Sequence, residues 1–176
     1  MIRAVAYEMS RLGAFWGLGG VSLLLGSAIY RLTPLAVDAF SYSWSWHHGL
    51  SFILIVFFMA YAEGYRAFQQ AFSPRVAARA RYLRDNPNLL HTLLAPLFCM
   101  AYFHAPRRRQ ITSISVTAGI VILVILVRLL DQPWRGIIDG GVVVGLAWGL
   151  ISLLIFGYQA LSADVFPYSP EVPEEL

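Results

Sequence analysis

The chain has 176 residues, 58% of them apolar and 13% charged, about half the charged share of a soluble domain. That deficit argues against an ordinary soluble domain, and in a bilayer the length makes four or five helices of about 20 residues. The net charge is +3 and all thirteen basic residues are arginine; since they flank apolar runs, they point to headgroups and topology rather than to nucleic acid.

The first apolar run, residues 12–30, lies between Arg11 and Arg31. Arg3, Arg11, an apolar stretch and "GSA" imitate a secretory signal, but the run is too long for a cleaved segment and further spans follow, so a retained first helix is expected. Gly13, Gly17 and Gly20 give it a small-residue face. Next comes an aromatic cluster, Tyr42, Trp44 and Trp46, which with His47 and His48 reads as an interfacial belt.

The second span is expected over residues 48–72. Its purely apolar part is too short to cross about 30 Å at 1.5 Å per residue, so the helix must run on past Glu63 to Phe72. Glu63 and Arg66, spaced i, i+3, are expected to pair near a headgroup layer. Ser73 then suits an N-cap, with Pro74 at the first helical position and Asn86-Pro87 at the end. Residues 74–85 read as a short basic helix on the membrane surface. Arg75, Arg79, Arg81 and Arg84 would meet anionic lipid headgroups, with Val76, Ala80 and Leu83 on the apolar side.

Residues 89–105 are long enough to cross, and Pro96 in their middle predicts a kink; a re-entrant or interfacial helix is the alternative. This stretch holds His91, His104 and the only cysteine, Cys99. No disulfide within the chain is possible, and a buried, inert thiol is expected. A span over 111–130 and a tight "DQPWRG" turn precede the last span, 136–161. There Gly141, Gly145 and Gly149 are spaced by four, behind Gly136 and Gly140. Such spacing lets helix backbones approach closely. Asp139 sits one turn into this helix, four residues from Arg135. The tail, residues 163–176, carries three prolines and three glutamates and reads as a disordered acidic end.

The expected fold is therefore all-α: a polytopic integral membrane helical bundle over residues 1–162. It has five transmembrane helices, or four plus a re-entrant or interfacial helix, and a short basic surface helix. With four spans, ten arginines fall on the N-terminal side and three on the other; with five, nine and four. The positive-inside rule favours four, the apolar length of 89–105 favours five, and both place the N-terminus in the cytoplasm, in a bacterial inner membrane.

Two function classes stand open. The first is a non-enzymatic accessory, assembly or structural subunit that packs against other membrane helices, or a second copy, through its glycine faces. The second is a small transporter or redox carrier. It would use Glu63, Arg66, His91 and Asp139 as a polar membrane site, or His48 and His104 as axial ligands of a haem b. The haem pattern is incomplete, and no cofactor is predicted outright. No P-loop, GxSxG, HExxH or dinucleotide fingerprint is present, and no nucleic-acid module, which leaves the non-enzymatic class in front.

Overall fold

In a computed structural model that describes residues 2–173, with side chains from residue 11, the chain is all-helical. Helix α1 (Ile2–Asp38) ends in a short 3-10 turn. After the aromatic cluster, α2 (Trp46–Met59) passes without a break into a π-helical segment (Ala60–Phe72) and then α3 (Ser73–Asp85). Two short helices follow, α4 (Leu89–Leu93) and α5 (Ala95–Cys99), and then the long α6 (Arg107–Arg128) and α7 (Trp134–Ser162). Four stretches are long and apolar enough to cross a membrane: Arg11–Ser41, Trp46–Asp85, Arg107–Arg128 and Trp134–Ser162.

Three of them form one bundle. Helix α7 runs antiparallel to α1, with Gly157 opposite Leu18 and Gly136 opposite Leu35 and Ala39. It runs parallel to the α2–α3 rod, with Gly141 opposite Ile55 and Ser152 opposite Ser73. Between those two contacts the rod uses eighteen residues where α7 uses eleven. The π-helical segment absorbs part of the excess, because a π-helix closes its hydrogen bonds over five residues and climbs less per residue than an α-helix. At the far end of the bundle, Gln132 ties the α6–α7 turn to α1: its Nε2 donates to the Leu35 carbonyl and to Asp38 Oδ2, both at 3.2 Å.

Three sequence expectations are corrected here. The span expected over 89–105 is not one helix. Leu94 leaves the helical region and Pro96 opens a second helix, since proline fits a first turn and not an interior one. Both pieces lie along the N-terminal part of α1, where Gly13 faces Thr92, Gly17 faces Ala95 and Cys99, and Gly20 faces Pro96.

The basic surface helix is neither separate nor on the surface. Ser73 keeps helical angles and caps nothing. Its hydroxyl instead meets Ser152 Oγ at 2.8 Å inside the bundle, and α3 buries Val76, Ala77, Ala78, Arg79, Ala80 and Leu83.

The tail folds back. Val172 packs on the core formed by Val21, Val76, Leu83, Phe98 and Leu153, and Tyr168 meets Phe156 edge-on. The last three residues of the expected disordered end lie outside the described residues.

Candidate functional site

The end of the bundle that gathers residue 11, α3, α4, α5 and the tail is organised by one guanidinium. Arg79 is 2% exposed. Its Nε donates to the Phe98 carbonyl at 2.6 Å, Nη1 to Pro170 at 2.9 Å and Glu171 at 3.4 Å, and Nη2 to Phe103 at 3.1 Å and His104 at 3.0 Å. The same group stacks 4.1 Å above the Phe98 ring. Phe103 and His104 lie in the α5–α6 loop and Pro170 and Glu171 in the tail, where no regular structure satisfies their carbonyls, and a buried carbonyl without a donor is costly; Phe98, in α5, also accepts from the Ala101 amide at 2.9 Å. Arg79 thus supplies the donors that let the α5–α6 loop and the tail be buried at all. Ala101 and His104 in this loop, and Glu171 in the tail, hold positive φ of 61°, 49° and 48°.

The other expected headgroup arginines are also largely engaged by the protein. Arg81 donates to the carbonyls of Ala160 and Ala163, and Arg84 to that of Leu161. Both cap the C-terminal end of α7, where unpaired carbonyls and the helix dipole favour a cation. Arg75 donates back to Ala71 at 2.6 Å. The arginines of α3 thus divide their roles: Arg79 is wholly engaged by carbonyls, while Arg75, Arg81 and Arg84 use only part of their donors on the carbonyls named here.

The same end holds an aromatic and histidine cluster. The His91 ring lies 4.8 Å from Phe98 and 4.7 Å from His104, centroid to centroid. Cys99 is buried beside it, and desolvation pushes its thiol up to about 12, as expected for an inert thiol.

His48 and His104, the alternative haem pair, lie at opposite ends of the bundle. His48 sits 4.9 Å from the Trp134 ring, and its Nδ1 accepts from the Ser45 amide at 3.1 Å as part of the α2 cap. That capping role was not evident in the sequence, although Ser45 three residues before His48 is the signal for it. Among the described residues no three His, Cys, Asp or Glu side chains converge to hold a metal.

The polar membrane site is likewise dispersed. Glu63 lies in the π-helical segment, with its Oε2 against Gly145, buried and without a hydrogen-bond partner. Arg66 makes no ion pair with it and is exposed: the wider π turn no longer stacks i and i+3 as an α-helix would. Asp139 lies near the far end, its Oδ2 3.8 Å from Arg135 Nε, with neither atom hydrogen-bonded.

A polar seam unforeseen in the sequence continues from Glu63 along α7. Trp148 Nε1 donates to Gln69 Oε1 at 2.6 Å, and Ser73 meets Ser152. Spacings of three and four on α7 could have suggested this face.

The glycine faces are filled from within the chain. On α7, Gly141 faces Ile55, Gly145 faces Glu63 and Gly149 faces Phe68, with ideal Cβ positions 2.5–2.6 Å from those side chains. Gly13, Gly17 and Gly20 receive α4 and α5 in the same way. Comparison of the chain with family models, curated proteins and solved structures finds no match.

Proposed function

We propose that the protein is a non-enzymatic integral membrane subunit whose four long helices cross a bilayer and whose helix α6 docks against the helices of another membrane protein. The observation that supports this reading is the state of α6. Its 22 residues bury a single side chain, Val127, and none of its most apolar window is covered by the rest of the protein. The other three long helices pack into a bundle. Small-residue faces, the other available docking surface, are already occupied by the chain itself. Helix α6 is tethered by Arg109 to the tail, by Ser113 to the Met100 carbonyl and by Thr117 to the Tyr102 hydroxyl, which still leaves most of its circumference for lipid or for a partner helix. In a four-span arrangement the arginine-rich end carries the start of α1 and the described part of the tail, and the positive-inside rule puts it in the cytoplasm.

The test is photo-crosslinking in native membranes. A crosslinker at Ile122 on α6 is expected to trap a discrete protein product. The same probe at Ile151, on the exposed face of α7, is expected to label lipid alone. Lipid labelling at both positions would remove the docking reading.

A second reading rests on Glu63. A carboxyl oxygen without a partner between apolar helices is costly and marks a candidate ion path, and the Gln69–Trp148 and Ser73–Ser152 pairs extend polar groups from it toward the cytoplasmic end. On this reading the protein is a small transporter of protons or monovalent cations. Reconstituted vesicles would show a proton or sodium flux that Glu63→Gln abolishes; no flux from the wild-type protein would retire it.

A further inference from the structure

The tail meets α6 in a fork. Arg109, in the first turn of α6, offers Nε and Nη2 to the two carboxylate oxygens of Glu171 at 2.5 and 2.8 Å. Two parallel N–H···O bonds of this kind are how arginine recognises a carboxylate or a phosphate, and the two anions are interchangeable in that geometry. We propose that this fork is a phosphate-class anion site, that Glu171 occupies it as an intramolecular stand-in, and that an incoming phosphate group displaces the tail.

Three observations carry the proposal. The first is charge. Arg109, Arg75 and Arg79 all lie within electrostatic reach of one another or of Glu171, and among the described residues of this group Glu171 is the only carboxylate. Arg107 and Arg108 open the same helix and are exposed. Among the described residues the arginines here outnumber the carboxylate, and a phosphate monoester, with a charge of about −1.5 to −2 at neutral pH, matches them better.

The second is access. Arg109 and Glu171 side chains are 38% and 31% exposed, so a competing anion can reach the fork, unlike the buried guanidinium of Arg79. The third is backbone strain. Glu171 has φ 48°, a left-handed conformation that costs a non-glycine residue of order 1 kcal/mol and is relieved when the tail leaves. Arg79 holds the Pro170 and Glu171 carbonyls independently of the fork, so the tail has a second anchor and release is a change of position and not unfolding.

The phosphate group has two sources, a lipid headgroup or free phosphate. The proposal stands apart from the docking of α6, because it concerns an anion and not a helix. The full chain in neutral detergent is titrated with phosphatidate and, separately, with inorganic phosphate. Bound anion is counted by native mass spectrometry, and tail release is read from hydrogen exchange over residues 168–173.

Glu171→Gln is expected to tighten binding about tenfold, equivalent to about 1.4 kcal/mol, and to raise exchange in the tail without any ligand. Arg109→Gln is expected to abolish binding in both backgrounds, with Arg109→Lys intermediate because it keeps the charge and loses the fork. Binding of phosphatidate alone assigns the site to headgroups; binding of both assigns it to phosphate generally. If neither anion binds, if Glu171→Gln binds no more tightly than wild type, or if Arg109→Gln binds as well as wild type, the proposal is wrong.

Discussion

Helices α3 and α6 exchange the places their compositions would suggest. Helix α3 has four arginines in thirteen residues, yet it is among the most buried parts of the protein. Helix α6 is the most apolar of the four long stretches and lies almost entirely exposed. In water this would be untenable. It becomes reasonable when lipid is the solvent for α6, since lipid tails are as apolar as leucine and give no drive to bury it against other helices. Helix α3 is buried for the opposite reason. Its arginines find fixed carbonyl partners in the α5–α6 loop, the end of α7 and the tail, and small residues between them let neighbouring helices close in.

The contrast is broken most forcefully at Arg79. Arg79→Met keeps the side chain's bulk but leaves buried carbonyls without donors, and should cost about 1–3 kcal/mol for each one left unsatisfied. Detergent-solubilised protein should unfold at lower temperature, and protease should cut first in the α5–α6 loop and the tail. A variant as stable as wild type would mean that the carbonyls find water and that α3 is not the organising helix.

Placing the same substitution in the two environments sharpens the comparison. Gly145→Leu forces a side chain into Glu63, whose Oε2 lies 2.6 Å from the Cβ position, and should cost about 1–3 kcal/mol. Gly119→Leu on α6 meets no atom within 4 Å and should be neutral, or stabilise its helix by up to about 1 kcal/mol through propensity. Thermal unfolding in one detergent measures both. Equal losses would show that α6 is packed in solution as tightly as the bundle.

The smallest effect concerns reactivity. Cys99 is buried beside Gly17, with its thiol pushed up to about 12. Thiolate is the reacting species, so the folded protein at pH 8 should resist maleimide and react fully only once unfolded. Gly17→Leu, which drives a side chain into the Cys99 sulfur, should open the site and speed labelling. Rapid labelling of the wild-type protein would place α5 away from α1.

Much of the fold was legible in the residues. The long helices near residues 12–30, 48–72, 111–130 and 136–161 follow from apolar runs, the first bracketed by Arg11 and Arg31, whose lengths suit a bilayer. The continuation of the second helix past Glu63 followed from the same arithmetic. The spacing of Gly141, Gly145 and Gly149 predicts a face with room for a neighbour, and Ile55, Glu63 and Phe68 stand opposite these positions.

What filled those gaps was decided only by tertiary structure. Hydropathy cannot distinguish a kinked span from two short helices laid on α1, as at residues 89–105, since both bury the same side chains. Nor can spacing tell that Arg79 would be buried, because its partners are backbone carbonyls, which every residue carries and no sequence marks. Glu63 lost Arg66 to a π-helical widening that answers a length mismatch with α7. The tail appeared disordered in composition, while the arginines that hold it lie some sixty to ninety residues earlier. The sequence by itself determined where helices could exist, through length and charge. Which of them touch depended on satisfying polar groups and filling space across the whole chain.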